Sequence, residues 1–271
     1  MSQYADNSRV KQKTIVDLQQ MKLAGQKISS LTAYDASFAI LLDQAGVDVL
    51  LVGDSLGMVV QGQASTLPVT MQDMIYHTRV VSRGCQQAFI IADLPFMSCA
   101  IAMQAAENAA QLIQQGGAHM VKLEGAKTAI IEFMVQQGIP VCAHLGLLPQ
   151  LINQSGKYAV QGKEEKAAAR VLADAIKIEQ AGAQMLIVEC IPAALAQQIS
   201  EQLTIPVIGI GAGVHCDGQV LVVYDMLGIS QGRKPRFTKN YMLQADSIAG
   251  AVQAYVTEVK EQIFPAQEHS F

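Results

Sequence analysis

The chain has 271 residues, of which 51% are apolar and 15% are charged, and its formal net charge is −4. This composition excludes disorder as the main state, and the length suits a single α/β barrel domain over residues 1–271. No basic tract is present, so we expect neither a nucleic-acid partner nor an anionic membrane partner. The composition remains compatible with a small polar or anionic ligand.

The N-terminal residues and the cysteines favour an intracellular protein. The polar start of the chain lacks the apolar core of a signal peptide, and no run of 18 apolar residues could span a bilayer. Five cysteines, at positions 85, 99, 142, 190 and 216, are scattered and form no CxxC pair. We therefore expect a cytoplasmic location with reduced thiols that pack as small apolar side chains.

Short apolar runs alternate with longer helical patterns along the chain. A helix predicted at 14–24, within the N-terminal segment 1–26, is expected to cap the bottom of a barrel. Strands are predicted at 28–34, 47–54, 88–93, 119–124, 140–144, 184–189 and 205–210. Helices between them are predicted at 37–45, 70–84, 98–115, 127–137, 163–181 and 192–203. Because parallel neighbours cannot be joined by a tight turn, this alternation indicates parallel strands with crossover helices.

The last part of the chain is ambiguous. The run VLVV at 220–223 suits a strand by propensity. A strand there would leave too few residues after GIGAG, at 209–213, for a parallel crossover of about a dozen residues. We therefore predict a helix over 217–227 that is capped by Asp217, a short eighth strand at 235–240 and a last helix at 244–263.

Eight such units predict a (β/α)₈ TIM barrel, with an open doubly wound sheet as the alternative. In a barrel, the functional residues lie at the C-terminal ends of the strands. Five polar residues fall at that rim, on separate strands: Asp54, Asp93, Glu124, His144 and Glu189. One acid alone could cap a helix or pair with a cation. Four acids together raise each other's pKa unless a cation intervenes, which indicates a divalent metal.

The types of the rim residues indicate which metal would bind and which roles the other side chains would have. Without a cysteine or HExxH ligand set, the acids point to Mg²⁺ at Asp54, Asp93 and Glu124, which follow neighbouring strands. Lys122 shares a strand face with Glu124 and suits a Schiff base, a contact to a substrate carboxylate or a structural ion pair. Glu189 lies across the barrel as a candidate base or as a helix cap.

Three further features complete the predicted site. His144 either hydrogen-bonds the ligand or orients a carboxylate. The segment 149–163 is longer than a usual strand-to-helix loop and could form a lid. GIGAG offers bare backbone to a ligand, but its spacing is not that of a dinucleotide motif, and no ATP-binding P-loop motif occurs.

The chain resembles the ketopantoate hydroxymethyltransferase family of phosphoenolpyruvate/pyruvate-type barrels. The matching stretches are TAYD at 32–35, LLVGDSLGMVVQG at 50–62, TLPVT at 66–70, YHT at 76–78, ADLPFM at 92–97, MVKLEG at 120–125, HLGLLPQ at 144–150, VQGK at 160–163, GAQMLIVECIP at 182–192, and IPVIGIGAG with DGQ at 205–219. Two departures, Ala126 for the usual Gly and Leu148 for the usual Thr, concern only loop detail and the fit of folate.

The resemblance implies a reaction and its residues. The family transfers a hydroxymethyl group from 5,10-methylenetetrahydrofolate to 3-methyl-2-oxobutanoate through a Mg²⁺-stabilised enolate, giving 2-dehydropantoate for pantothenate biosynthesis. Asp54, Asp93 and Glu124 match its Mg²⁺ positions. Its contacts to the oxo acid match Asp54, Ser55, Asp93 and Lys122, and its base matches Glu189. The family assembles as a homodecamer.

Three rival readings stay open. A metal-dependent lyase or aldolase of the same superfamily would use the same acids without folate. A Schiff-base aldolase would use Lys122 covalently and need no metal. A barrel that only binds a small acid would need no base at Glu189.

Overall fold

The computed structural model describes residues 11–230 and 234–271, and its eight strands form a closed parallel barrel in chain order. The strands are β1 (Ile28–Thr32), β2 (Val49–Val52), β3 (Phe89–Asp93), β4 (Met120–Glu124), β5 (Val141–Gly146), β6 (Met185–Glu189), β7 (Val207–Ile210) and β8 (Gly218–Leu221). Because β8 pairs with β1, the sheet has no edge. The predicted barrel is confirmed, the doubly wound alternative is wrong, and the first seven strands lie where they were predicted.

Eleven α-helices lie in the described residues. They are α1 (Ile15–Leu23), α2 (Ala36–Gln44), α3 (Leu56–Val59), α4 (Met71–Gly84), α5 (Ala102–Gln114), α6 (Thr128–Gln136), α7 (Ile152–Ser155), α8 (Glu165–Gln180), α9 (Ala193–Gln202), α10 (Val223–Met226) and α11 (Ile248–Lys260). The predicted helix at 98–115 begins later than expected because the backbone of Met97 is left-handed and the amide of Ser98 closes a turn onto Pro95.

The barrel interior is apolar in its lower part. Alternate residues of the strands point inward and pack as one buried cluster: Ile28, Val49, Leu51, Phe89, Ile91, Met120, Cys142, Met185, Ile187, Ile208, Ile210 and Val220. Leu18 of α1 joins this cluster with no exposed surface. The prediction that the first helix caps the barrel bottom is confirmed by this packing.

An ion pair fixes α1 at that end. Lys22 Nζ donates to the carbonyl oxygens of Ser200 and Ile205 at 2.9 Å and to Asp217 Oδ2 at 2.7 Å. Ile205 and Asp217 come just before β7 and β8, so one ammonium group joins α1 to the starts of two strands. The prediction of one domain over residues 1–271 stays a prediction, and residues 1–10 of its N-terminal segment lie outside the described residues.

The eighth strand was predicted at the wrong place. Residues 217–227 do not form one helix, since β8 occupies Gly218–Leu221 and pairs with both β7 and β1, and only the short α10 (Val223–Met226) follows it. Asp217 does not cap a helix, because its carboxylate accepts the backbone N–H of Val207 at 2.8 Å as well as Lys22. The strand propensity of the valine-rich run was therefore the better guide.

The expected crossover length was wrong because no helix joins β7 to β8. Residues 211–217 form the whole connection, and Gly211 and Gly213 take left-handed φ values of 58° and 84° within it. A four-residue strand is only about 13 Å long, which seven residues span easily. Residues 235–240 are likewise not a strand, and Phe237 of this segment packs against the interior cluster instead.

Two further expectations concern the whole chain. All five cysteines are free and buried, as predicted for packing roles. Among residues 11–230 and 234–271, no helix has both the length and the apolar character needed to cross a membrane.

Candidate active site

The register of the central strands brings the rim residues together. Asp93 of β3 lies opposite Lys122 of β4, and Glu124 lies opposite His144 of β5. Directly paired side chains on one face of a sheet are neighbours. Lys122 Nζ is accordingly 3.0 Å from Asp93 Oδ1, and His144 Nδ1 is 3.8 Å from Glu124 Oε1. All four side chains are buried.

Glu189 at the end of β6 extends this row. His144 Nε2 is 3.2 Å from Glu189 Oε2, and His144 Nδ1 is 3.5 Å from Lys122 Nζ. Gly146 allows the approach of the two strands, because a Cβ there would lie 2.1 Å from the carbonyl oxygen of Glu189. The imidazole of His144 therefore lies between the lysine and the two glutamates.

Asp54 and Ser55 enter the site from the turn after β2. The backbone N–H of Asp54 donates to Asp93 Oδ2 at 3.1 Å, which joins the ends of β2 and β3. Ser55 Oγ is 2.8 Å from the hydroxyl of Tyr34, which is buried beside β1. The sequence stretch TAYD contains Tyr34, but nothing in its pattern showed that this side chain would position Ser55.

Gln150 is a site residue that the sequence reasoning did not identify. Its Nε2 donates to Asp54 Oδ2 at 2.7 Å and to the carbonyl oxygen of Leu94 at 3.0 Å. Its backbone N–H donates to Glu124 Oε2 at 3.1 Å. One residue thus joins two predicted metal ligands from different strands. Its only sequence signal was its place in the stretch HLGLLPQ.

Burial and crowding shift the pKa values of these groups strongly. Burial raises the pKa of Glu124 to about 7 and that of Glu189 to about 8. The pKa of Asp54 is also raised, first by burial and then by the charge of Asp93. Burial lowers the pKa of Lys122, but the nearby carboxylates outweigh it and the pKa is raised overall. The lysine is therefore charged, which disfavours the Schiff-base alternative, because that chemistry needs a neutral amine.

His144 behaves as a neutral ring. Burial, followed by the charge of Lys122, lowers its pKa well below the usual value. Nδ1 of this ring faces the ammonium group of Lys122, whereas the buried Nε2 lies 3.2 Å from Glu189 Oε2 without a hydrogen bond of good geometry.

These side chains surround one pocket, which we call the mouth cavity. It has a volume of ≈ 130 Å³. Its lining includes all seven predicted site residues: Asp54, Ser55, Asp93, Lys122, Glu124, His144 and Glu189. An engineered cavity of about 150 Å³ binds a benzene molecule, so a cavity of this size has room for a small organic molecule. The mouth cavity therefore suits a small organic acid.

The carboxylates fit a hard cation without forming a complete metal cage. Among the described residues, no three His, Cys, Asp or Glu side chains are arranged as a ready ligand set. Asp93 Oδ1 is buried beside Lys122 but has no hydrogen bond of good geometry. Mg²⁺ usually takes one or two protein carboxylates and completes its shell with water or substrate oxygens. Asp54 and Asp93 fit this pattern, and the three-carboxylate site stays a prediction.

The segment 149–163 lies beside the mouth cavity. It contains a short 3₁₀ turn, α7 and a left-handed Gly156, and its end is joined to the end of β6 by a bond from the N–H of Gln161 to the carbonyl of Cys190. The pKa of Tyr158, a residue that is 51% exposed, is raised by burial and by the charges of Glu189, Asp54 and Glu124. Movement of this segment as a lid stays a prediction.

A second pocket, which we call the outer cavity, lies on the other side of the wall formed by the ends of β4 and β5. Its volume is ≈ 480 Å³. It is lined by Gly125, Ala126, Leu145, Gly146, Leu148, Gln161, Gly162, Glu164, Lys166, Ala167, Arg170, Val171 and Asp174. Both departures from the family pattern, Ala126 and Leu148, lie in this lining.

The closed barrel and its buried acidic mouth define an enzyme of the (β/α)₈ class. The family model for ketopantoate hydroxymethyltransferase matches residues 12–267. The chain belongs to this family and is a transferase enzyme. It is 58% identical over 260 residues to 3-methyl-2-oxobutanoate hydroxymethyltransferase of Nitrosococcus oceani, covering 95% of this chain and 98% of that one.

Solved structures of other enzymes share the fold. The structure of 2,3-dimethylmalate lyase, a member of the PEP mutase/isocitrate lyase superfamily, has a TM-score of 0.57 and 16% identity, covering 79% of this chain and 82% of that one. The structure of phosphonopyruvate hydrolase in complex with oxalate and Mg²⁺ has a TM-score of 0.59 and 12% identity, covering 78% of this chain and 81% of that one. At these identities the likeness shows the fold alone.

Proposed function

We propose that this protein transfers a hydroxymethyl group from 5,10-methylenetetrahydrofolate to 3-methyl-2-oxobutanoate, giving 2-dehydropantoate for pantothenate biosynthesis. One observation supports this reaction most directly. A charged lysine, Lys122, and a carboxyl group with a raised pKa, Glu189, line the same small cavity. The first suits the carboxylate of an oxo acid and the second suits removal of a proton near neutral pH.

The substrate acid is held by groups that are already in place. Lys122 Nζ supplies a fixed positive charge to the substrate carboxylate, and Asp93 keeps that ammonium group in position at 3.0 Å. Ser55, which is positioned by Tyr34, offers a hydroxyl group on the side of β2. A bound acid that is fixed in this way reacts with its partner as if the step were intramolecular.

Mg²⁺ is the proposed metal, with Asp54 and Asp93 as its main protein ligands and Glu124 as the third. Bound Mg²⁺ would withdraw electrons from the 2-oxo acid and so make the proton at C3 easier to remove. An enzyme with the same fold, phosphonopyruvate hydrolase, has been solved with oxalate and Mg²⁺, which is consistent with this proposal because oxalate resembles the two-oxygen end of a 2-oxo acid.

Glu189 is the proposed base. Its carboxylate takes the proton from C3, and the electrons of the broken C–H bond form the enolate. The neutral ring of His144 lies beside this carboxylate, with Nε2 3.2 Å from Glu189 Oε2. The donor opens by breaking the bond between its methylene carbon and N10, which takes up a proton that balances the one held by Glu189. C3 of the enolate then bonds to the methylene carbon of the resulting N5-iminium. Water supplies the hydroxyl oxygen as the bond to N5 breaks, its second proton goes to N5, and tetrahydrofolate leaves.

Exchange of the C3 proton tests the base separately from transfer. In deuterated water with Mg²⁺, the protein is expected to exchange the C3 proton of 3-methyl-2-oxobutanoate, as followed by NMR. Glu189→Gln should still bind the acid but lose the exchange by about a hundredfold or more.

The matched control is Glu107→Gln, since Glu107 is an exposed glutamate on α5. It should exchange at the parent rate. Exchange by Glu189→Gln at the parent rate would exclude Glu189 as the base. Turnover of the acid without any folate would favour a lyase or aldolase instead.

Two further proposals concern the assembly and location of the protein. We propose a homodecamer, so that sedimentation should give about ten times the mass of the 29.0 kDa chain. We also propose a cytoplasmic location, which the five free cysteines support because that compartment keeps thiols reduced.

A further inference from the structure

We infer that the outer cavity binds the acidic tail of the folate donor, meaning its aminobenzoyl ring and the glutamate carboxylates beyond it. This inference rests on the proposed function. It assigns a ligand to a pocket that lies outside the ring of acids and that the proton transfer does not use.

The sizes of the two pockets require a second binding region for the donor. The mouth cavity, at ≈ 130 Å³, holds a small acid but not a folate as well. The outer cavity, at ≈ 480 Å³, is more than three times larger. A ligand whose one-carbon unit reaches the mouth must therefore place its remaining length elsewhere.

The two pockets lie on either side of one wall, because neighbouring residues of the chain line them. Glu124 lines the mouth cavity, and the next residue, Gly125, lines the outer cavity. Likewise, Pro149 lines the mouth cavity and the preceding residue, Leu148, lines the outer cavity. A donor that lies across this wall would keep its reactive end beside the mouth and place its tail in the outer cavity.

The lining of the outer cavity suits an aromatic ring followed by carboxylates. Leu145, Leu148 and Val171 provide apolar surface for the ring. Lys166 and Arg170 lie one turn apart on α8, so both project from the same side of the helix. In the part of the chain that the structure describes, neither of these two side chains has an ion-pair partner.

The acids in the lining leave these two cations available. Asp174 lies one turn beyond Arg170, yet its carboxylate contacts Lys177 at 3.9 Å instead. Glu164 precedes the first residue of α8 and is exposed to water. Two unpaired cations against one solvated acid favour a ligand with several carboxylates, such as a chain of glutamates.

The test compares donors that differ only in the tail. We would measure KM for monoglutamyl and for triglutamyl 5,10-methylenetetrahydrofolate with the parent protein and with Lys166→Ala/Arg170→Ala. The parent should prefer the triglutamyl donor about fivefold, and the double variant should lose this preference, as expected for charge pairs made by the exposed side chains of Lys166 and Arg170. The preference of the parent should also weaken with added salt.

The matched control is Arg79→Ala/Arg83→Ala, which removes two exposed cations one turn apart on α4. It should keep the parent preference. An unchanged preference in Lys166→Ala/Arg170→Ala, or an equal loss in the control, would overturn the inference. Transfer from the monoglutamyl donor by the parent protein separates the two proposals. If the parent transferred nothing from this donor, the proposed function would be contradicted. If it transferred equally well from both donors, only the assignment of the outer cavity to the folate tail would be contradicted.

Discussion

Gln150 carries the most specific prediction for a single residue. Its amide and backbone N–H hold Asp54 and Glu124, so Gln150→Leu should leave Asp54 without its hydrogen-bond donor. Because loss of a group that orients metal ligands usually weakens metal affinity about tenfold to a hundredfold, the Kd for Mg²⁺ should rise by that factor. Calorimetric titration of Mg²⁺ measures the effect without requiring turnover.

A surface glutamine provides the control for this variant. Gln180→Leu, at the exposed end of α8, should bind Mg²⁺ as the parent does. If Gln150→Leu bound Mg²⁺ with the parent affinity, the amide would have no part in positioning the ligands.

The rim residues of the site could be predicted from sequence, and Ser55 followed from the family resemblance, whereas the roles of Gln150 and Tyr34 could not be predicted. Asp93, Glu124 and Glu189 stand at the ends of apolar strands, where a carboxylate is conspicuous. Lys122 was placed on the inner face by strand alternation alone. Gln150 and Tyr34 lie in loops or beside them, where a neutral polar residue is ordinary, and their contacts exist only once distant segments have closed around the mouth.

At the scale of the elements, seven strands followed from their apolar runs, and the eighth did not. The run 220–223 had a strand signal, but a rule about crossover length was given more weight. That rule describes connections that contain a helix. The connection at 211–217 contains none, and no sequence pattern announced this, because its glycines also suit a ligand-binding loop.

The ion pair between Lys22 and Asp217 gives a prediction for the elements that it joins. Both side chains are largely buried, and Lys22→Met would leave the Asp217 carboxylate without its cation. Removing one partner of a largely buried pair costs about 3 kcal/mol, so the free energy of unfolding should fall by about that amount. KM for the oxo acid should not change, since this pair lies at the opposite end of the barrel.

An exposed pair between α1 and the residues before it supplies the comparison. Lys11 and Asp17 are 3.0 Å apart, but the lysine side chain is 77% exposed. Lys11→Met should therefore lower the free energy of unfolding by less than about 1 kcal/mol. Equal losses in urea unfolding of the two variants would show that Lys22 does not fasten α1 to the strand starts.

The molecule as a whole concentrates acidic charge at one end of its barrel. The lower interior is apolar, whereas the mouth cavity is lined by five carboxyl groups, those of Asp54, Asp93, Glu124, Glu189 and Asp225, and by one lysine. When all of these groups are ionised, the negative charges exceed the positive one in a region that water hardly reaches. In the metal-free protein this repulsion is relieved by proton binding, in agreement with the raised pKa values of Glu124 and Glu189.

The stability of the metal-free protein should therefore depend on pH in a defined direction. Both glutamates have an ordinary pKa of 4.5, and in the folded protein the values are about 7 and about 8. Between about pH 5 and pH 8 the folded state then binds more protons than the unfolded state, so stability should fall as the pH rises through this window. Above about pH 8 the full penalty, of the order of 2 kcal/mol or more, should be present.

Mg²⁺ should reverse this loss, because it binds the ionised carboxylates and replaces the protons. In thermal unfolding, the increase in Tm on adding Mg²⁺ should be larger near pH 9 than near pH 6. Glu189→Gln removes one titrating group and should flatten the pH dependence of the metal-free protein, while Glu107→Gln should leave it unchanged. A Mg²⁺ effect of equal size at both pH values, with a metal-free Tm that does not fall as the pH rises, would contradict a cation site built from these acids.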